Sequence, residues 1–206
     1  MAAVTPSRSA EGSGTPPLDR GSRSEARRSA GGGDPFDLFQ IPPAFELDLE
    51  ELGRRHRELS RALHPDRYVG RPAAERREAL GRAIEVNEAW RVLRDPARRA
   101  EVLLQRLGVP TGEESNPPAR PEFLMEMMER RESLRALGRA GDLAGVEALS
   151  EEVRGQEREL LRELGEGFRR ALETPEAPVP ATLSLRLGEL RYLRRFFDEA
   201  DAFLSD

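Results

Sequence analysis

The sequence RRHRELSRALHPDRY at residues 54–68 decides the fold of this chain. Apolar or ring-bearing residues recur in and just before it at spacings of three and four, the pattern of one buried helical face. They are Leu49, Leu52, His56, Leu59 and Leu63. Arg54, Arg57 and Arg61 share another face and are expected to point outward together. Pro65 has no amide hydrogen and disfavours a helical residue before it, so the helix must stop there.

The turn after this helix carries the tripeptide His64-Pro65-Asp66. A carboxylate such as Asp66 can accept two hydrogen bonds from an arginine of a partner, and His64 can donate or accept one. Pro65 restrains both neighbours, so little ordering entropy is lost on binding. The sequence therefore favours a recognition tip beside a strip of positive charge. On three residues alone, an ordinary helix stop explains the tripeptide equally well.

The segments on both sides predict a helical hairpin. Asp48 can cap the first helix, and Pro72 suits the first position of the second. The second helix is expected to bury apolar residues recurring to Arg94. These are Leu80, Ala83, Ile84, Trp90 and Leu93. Asp95 and Pro96 then begin a third helix, with Ala100, Leu103, Leu104 and Leu107 inward. Asn87 and Trp90 are interpreted as structural rather than ligand-binding residues.

A second group of helices is expected after a break at residues 108–120, where Gly112 and the pair Pro117-Pro118 indicate a domain boundary. Pro121 opens a helix that ends before a turn at residues 138–141, and long helices follow at about residues 143–172 and 181–204. Glycines inside the middle helix should each weaken it by about 1 kcal/mol. Three antiparallel helices with short connections predict a small bundle at residues 121–206, so the fold class is all-α.

Composition excludes several classes of function. There is no cysteine, hence no disulfide, thiol nucleophile or cysteine-ligated metal. From residue 108 onward there are fourteen arginines and twenty-one acidic residues, and this negative net charge argues against nucleic acid as the partner of that part. No apolar run approaches eighteen residues, so we expect a cytoplasmic protein without a membrane contact, and we expect no cofactor. Residues 1–33 are rich in Ser, Gly, Pro and Arg and are predicted to be a disordered tail.

One short segment is more apolar than a single buried stripe requires. Five of the six residues 123–128 are apolar, and three of them are methionines. Phe123 and Met127 can share the inward stripe, but Leu124, Met125 and Met128 then fall on neighbouring faces. Flexible methionines suit an adaptable docking surface. A neighbouring domain that covers them would explain the pattern equally well.

Taken in order, these motifs resemble a known family. The arginine-faced helix, HPDR, the helix with NEAW and the DP turn resemble the J domain of DnaJ-type co-chaperones, over residues 34–107. With the acidic C-terminal helices, the chain is similar to the HscB family of iron–sulfur co-chaperones. The segments that carry this resemblance are DPFDLFQIP, HPDR, VNEAWRVLRDPARRAEVLL, FLMEMMERRESL and ELRYL. Met128 and Tyr192 stand where leucine and phenylalanine are expected, and Arg67 where lysine is common; the apolar character and the charge are kept.

The resemblance implies two binding sites and no catalytic one. The chaperone site would contact the ATPase domain of an HscA- or DnaK-class chaperone and stimulate its ATP hydrolysis. It comprises His64, Pro65, Asp66, Arg54, Arg57, Arg61 and Arg67. The other site would bind the cluster scaffold protein IscU. It comprises Leu124, Met125, Met128, Glu129, Glu132 and Tyr192, and we expect its apolar members to be exposed enough that truncation costs little stability.

Three other functions are conceivable for this chain. The chain could be a J-domain adaptor for another client of a DnaK-class chaperone. An enzyme with His64 as base and Asp66 as orienter is disfavoured, because an exposed tip offers neither a nucleophile nor a pocket. A helical metal carrier is disfavoured because the chain has two histidines and no Glu-x-x-His pair.

Overall fold

The computed structural model describes residues 33–111 and 119–205, and all regular structure within these ranges is helical. The all-α prediction is therefore confirmed. The α-helices are α1 Pro35–Leu38, α2 Leu49–Ala62, α3 Ala73–Arg94, α4 Pro96–Arg106, α5 Pro121–Ala140, α6 Leu143–Glu173 and α7 Ala181–Ser205, and a 3₁₀ helix spans Pro65–Tyr68. Residues 1–32 of the predicted tail and most of the predicted linker lie outside the described residues.

Helices α2 and α3 form the predicted hairpin. Asp48 caps α2, because its Oδ1 accepts hydrogen bonds from the backbone N–H groups of Glu50 and Glu51, both at 3.0 Å. Pro72 is the residue before α3 rather than its first helical residue. The two helices are joined by a ring contact: His56 stacks on Trp90 with centroids 5.1 Å apart, and its Nε2 lies 2.9 Å from Asn87 Oδ1. The interpretation of Asn87 and Trp90 as structural residues agrees with these contacts.

The buried face of α3 differs from the one predicted. Leu80 and Ile84 are more than half exposed, and the buried residues are Ala79, Val86, Ala89 and Leu93. The small alanine side chains on this stripe allow α3 to pack closely against its neighbours. The helix therefore turns this stripe inward and leaves Leu80 and Ile84 exposed. Leu49, at the first position of α2, is also about half exposed. The spacing identified a helix correctly, but it did not fix which stripe faces inward.

Helices α5, α6 and α7 pack together as predicted, around a leucine-rich core. Its fully buried residues include Leu134, Val146, Val153, Leu164, Phe168, Leu187, Leu190, Leu193 and Phe196. Helix α5 continues through Gly138 to Ala140, and Gly141 ends it with a φ of 69°. The predicted turn therefore begins later. A Cβ on Gly138 would overlap the ring of Phe203, and one on Gly167 would overlap Leu183, so these glycines allow close helix packing.

The hairpin and the bundle belong to one compact unit, Asp34–Asp206, with a continuous hydrophobic core. Phe45 stacks on Phe168 of α6 at a centroid distance of 5.4 Å. Arg99 is buried next to Phe45: its guanidinium lies 5.1 Å from the Phe45 ring, and its Nη1 donates to the carbonyl of Leu93 at 2.7 Å. Burial lowers the pKa of Arg99 to about 10. The two halves are thus held in a defined relation.

Asp95 both caps α4 and joins it to the bundle. Its Oδ1 accepts from the N–H groups of Ala97 and Arg98, and its Oδ2 accepts from Arg194 Nη1 at 2.5 Å. Burial alone would raise the pKa of Asp95, but the hydrogen bonds from Arg194 and from the backbone outweigh it and hold the pKa below 3.8. Because the folded state favours the charged form, the stabilisation is present above pH 3.8 and is lost as the pH falls through the folded pKa.

We therefore expect Asp95→Ala to destabilise the protein at pH 7 by more than the roughly 1 kcal/mol of a lost cap. Asp48→Ala, which removes a cap without an interhelical ion pair, is the matched control. Urea unfolding of both variants from pH 7 to pH 3 measures the difference. The excess cost of Asp95→Ala should shrink below pH 4, and an excess that does not change with pH would contradict this assignment.

Candidate functional site

The His64-Pro65-Asp66 tripeptide forms the start of the 3₁₀ helix rather than an irregular loop. The backbone of His64 is extended, with φ −61° and ψ 134°, and its ring Nδ1 accepts a hydrogen bond from the Asp66 N–H at 3.3 Å. Since Nδ1 is the acceptor, the neutral ring carries its proton on Nε2. The side chains of His64 and Asp66 are 59% and 87% exposed. The turn therefore presents an oriented imidazole and an open carboxylate to solvent.

The arginines predicted beside this turn are all exposed, but their charges are not equivalent. Arg54 lies 2.7 Å from Glu51 and 2.6 Å from Glu58, so its charge is compensated within α2. Hydrogen bonds from Arg54 and Arg55 lower the pKa of Glu51 to about 2. Arg54 points outward as predicted, but its pairing leaves it with less uncompensated charge than the prediction of a positive strip implied.

The uncompensated positive charge lies closer to the turn. Within the described ranges, no carboxylate lies within 4.0 Å of Arg57, Arg61 or Arg67. Arg61 Nε instead donates to the carbonyl of Arg57, one turn earlier in α2, at 3.2 Å. The guanidinium groups of these three residues are thus available to an acidic partner beside His64.

The second predicted site lies on α5, with Tyr192 on α7, and is only partly exposed. Met125 and Met128 are 64% and 72% exposed, and Glu129 and Glu132 are exposed next to them. Leu124 is half-buried and packs against the core. The expectation that the apolar members are all exposed is therefore wrong for Leu124, and its truncation is expected to cost stability.

Tyr192 is likewise half-buried against the core. Its ring meets Phe123 edge to face at 6.4 Å, and this places α7 beside the start of α5. The expected exposure of Tyr192 is therefore also wrong, and its truncation would remove this contact from the core. Met125 and Met128 remain as the exposed apolar members of this site.

The same face of α5 continues in residues that the sequence did not single out. Arg131, Arg135 and Arg139 follow Met128 along a shallow depression that Glu129 and Glu132 also line. Arg131 Nη2 and Arg135 Nε lie 2.8 and 2.6 Å from the carboxylate of Glu199 on α7. Arg131, Arg135 and Arg139 follow Met128 at spacings of three and four, so the sequence could have identified this stripe. It could not show which carboxylates pair with these arginines.

The chain just before α5 is fixed by a buried carboxylate. Glu189 on α7 is almost fully buried, and its two oxygens accept from Arg120 Nε and Arg186 Nη1, both at 2.7 Å. Ala119 is buried beside this contact. These contacts anchor the N-terminal end of α5, and with it the methionines one turn further on.

Residues 33–111 and 119–205 contain no cluster of histidine and carboxylate side chains arranged to hold a metal ion. None of the helices described above is long and apolar enough to cross a membrane.

Comparison with known protein families matches both halves of the chain. Residues 34–102 match the DnaJ domain, and residues 119–201 match the HSCB C-terminal oligomerisation domain. The co-chaperone protein HscB homolog of Burkholderia multivorans is 41% identical over 130 residues, which cover 63% of this chain and 74% of that protein. The homolog of Paraburkholderia xenovorans is 39% identical over the same shares.

Solved structures show the same architecture. The chaperone HscB from Vibrio cholerae superposes with a TM-score of 0.71 at 28% identity, over 84% of this chain and 98% of that one. Human co-chaperone protein HscB gives a TM-score of 0.70 at 24% identity, over 82% and 81% of the two chains, which shows a shared fold.

Proposed function

The chain belongs to the HscB family of co-chaperones, and we propose that it acts in iron–sulfur cluster assembly by bringing the scaffold protein IscU to an ATP-dependent chaperone of the HscA or DnaK class. The observation that carries this proposal is the oriented, exposed His64-Pro65-Asp66 turn on the same compact unit as the exposed methionines of α5. One surface engages the chaperone and the other the scaffold. The chain acts as an adaptor, and ATP hydrolysis takes place in the chaperone.

The chaperone surface consists of the turn and the arginines nearest to it. Asp66 offers two acceptor oxygens to an arginine of the ATPase domain, and His64 offers the donor on Nε2. Pro65 and the hydrogen bond between His64 Nδ1 and the Asp66 N–H restrain both groups before binding. This order reduces the entropy lost when the chaperone docks.

The uncompensated arginines of α2 predict a salt-dependent chaperone interaction. We expect Arg57→Glu with Arg61→Glu to lower the association rate about tenfold or more at low salt, since exposed charges act mainly by steering. Stability should change little, because both side chains are exposed. Surface-immobilised chaperone at increasing ionic strength measures this effect.

Arg54→Glu is the matched control for this pair. It changes the net charge by the same amount, but the Arg54 side chain is held by Glu51 and Glu58 and lies farther from His64, so its effect on association should be smaller than that of Arg57→Glu or Arg61→Glu alone. An association rate that does not vary with salt, or an equal loss in all three single variants, would contradict the steering role.

The scaffold surface consists of Met125 and Met128 with Glu129 and Glu132 beside them. Exposed thioether side chains adapt to the shape of an apolar partner, and the two carboxylates limit which partner fits. Leu124 and Tyr192 are half-buried against the core, so they contribute to docking mainly through the shape of the surface around the methionines.

A titration of full-length protein with purified IscU, in apo and cluster-loaded forms, tests the proposed function. Saturable binding that is lost on truncation of the methionines is expected. The competing function is that of a J-domain adaptor for another client. It would be favoured if the protein does not bind IscU but still stimulates a DnaK-class ATPase.

A further inference from the structure

Arginines of residues 119–205 are, with two exceptions, paired with carboxylates. Twelve have an Asp or Glu oxygen within 4.0 Å, as expected for a segment in which acidic residues outnumber arginines. Within that described range, the exceptions are Arg139 and Arg195. An unpaired guanidinium surrounded by an excess of acidic side chains calls for a specific explanation.

Both exceptions border the proposed scaffold surface. Arg139 lies in the last turn of α5, on the stripe that runs from Met128 through Arg135, and its Nε donates only to the carbonyl of Arg135 at 3.1 Å. The guanidinium of Arg195 on α7 lies 5.4 Å from the ring centroid of Tyr192. Neither charge is used to hold the bundle together.

The carboxylates on the same stripe are unpaired as well. Among the described residues, no arginine or histidine lies within 4.0 Å of Glu129 or Glu132, whereas Glu126, one turn earlier, pairs with Arg130 at 2.9 Å. The exposed face of α5 therefore carries unpaired charges of both signs, in the order negative then positive toward its C-terminus. Glu132 and Arg139 are seven residues apart, about 10 Å along the helix axis.

We propose that Arg139 and Arg195 extend the scaffold-docking face, and that each receives a carboxylate of the scaffold protein. This inference rests on the proposed function and specifies the partner: an apolar surface that carries basic groups opposite Glu129 and Glu132 and acidic groups opposite Arg139 and Arg195. In an extended segment, an acidic residue about three positions from a basic one spans this distance. Guanidinium groups bind carboxylates in a forked geometry, so the two arginines also fix the direction of the bound segment.

Charge reversal at Arg139 tests this inference. We expect Arg139→Glu to weaken binding of apo IscU about tenfold at low salt and to flatten the dependence of affinity on ionic strength. Arg195→Gln should weaken binding several-fold, and stimulation of the chaperone ATPase in the absence of scaffold should be unchanged in both. The control is Arg170→Glu, an exposed arginine in the last turn of α6 away from this face, with the same change of charge.

Each outcome of this titration decides between the assignments. Wild-type affinity in Arg139→Glu, or an equal loss in Arg170→Glu, would overturn the role of Arg139. If Met125→Ala with Met128→Ala weakens binding and the arginine variants do not, this inference fails while the proposed function stands. If none of these variants weakens binding, both fail. Concentration-dependent dimerisation of the wild type that Arg139→Glu abolishes would assign the face to a second copy of this chain and overturn its assignment to the scaffold.

Discussion

His64→Gln is expected to reduce stimulation of the chaperone ATPase to the basal rate while leaving the protein folded. The His64 side chain is 59% exposed, and among the described residues its polar partner is Asp66 within the turn, so its loss removes little packing. Glutamine is flexible and cannot hold the acceptor and donor positions that the imidazole ring fixes on Nδ1 and Nε2. Single-turnover phosphate release from the chaperone, with circular dichroism of the variant, measures both quantities.

The chain supplies a matched control in its second histidine. His56 stacks on Trp90 and bonds Asn87, so His56→Gln should lower the free energy of unfolding by about 1 kcal/mol, within the usual range for a partly buried contact. At a temperature where it is folded, it should still stimulate the chaperone. A folded His64→Gln protein with wild-type stimulation would refute the role of the turn.

Truncation of the exposed methionines is expected to have the second large effect. Met125→Ala with Met128→Ala should weaken IscU binding by a hundredfold or more, since a few central apolar residues dominate such interfaces. The melting temperature should change little, because both side chains are mostly exposed. Isothermal titration and thermal unfolding of the double variant measure the two effects.

Leu143→Ala provides the control for this experiment. Leu143 is also an exposed apolar residue of the bundle, at the start of α6, and it lies outside the proposed docking face. It should leave IscU affinity unchanged. A methionine variant that unfolds, or one that stays folded and binds normally, would show that these side chains do not form the docking face.

The helix boundaries were largely predictable because they depend on local chemistry. Asp48 and Asp95 each accept backbone hydrogen bonds at the start of a helix, and Pro96 and Pro121 occupy first helical positions. These interactions involve residues within three positions of one another. The positions at which these helices begin can therefore be predicted from the local sequence alone.

The choice of buried face was less predictable, because it depends on what packs opposite. Leu80 and Ile84 have the same spacing as core residues, yet the contact surface of α3 runs through its alanines and Val86. Leu124 is half-buried against the core, and the start of α5 lies against α7, a helix distant in the sequence, through the contact between Phe123 and Tyr192. Spacing shows that a stripe exists, and tertiary packing determines which stripe is covered.

For the candidate sites too, the sequence identified the local motif but not the contacts between distant residues. The motif His64-Pro65-Asp66 identified the turn, but the sequence could not show that Arg54 is compensated. Nor could it show that Arg131 and Arg135 share Glu199 of α7 while Arg139 has no such partner. Charge pairing across helices is a property of the folded chain.

The most direct test of the account is phosphate release by the chaperone with this protein alone, with IscU alone and with both. One adaptor with two surfaces raises the effective concentration of the scaffold at the chaperone, so the stimulation by both together should exceed the sum of the separate effects. His64→Gln should abolish all stimulation by this protein, whereas Met125→Ala with Met128→Ala should abolish only the excess. Purely additive stimulation, or an excess that survives loss of the methionines, would contradict the claim that this chain joins the scaffold to the chaperone.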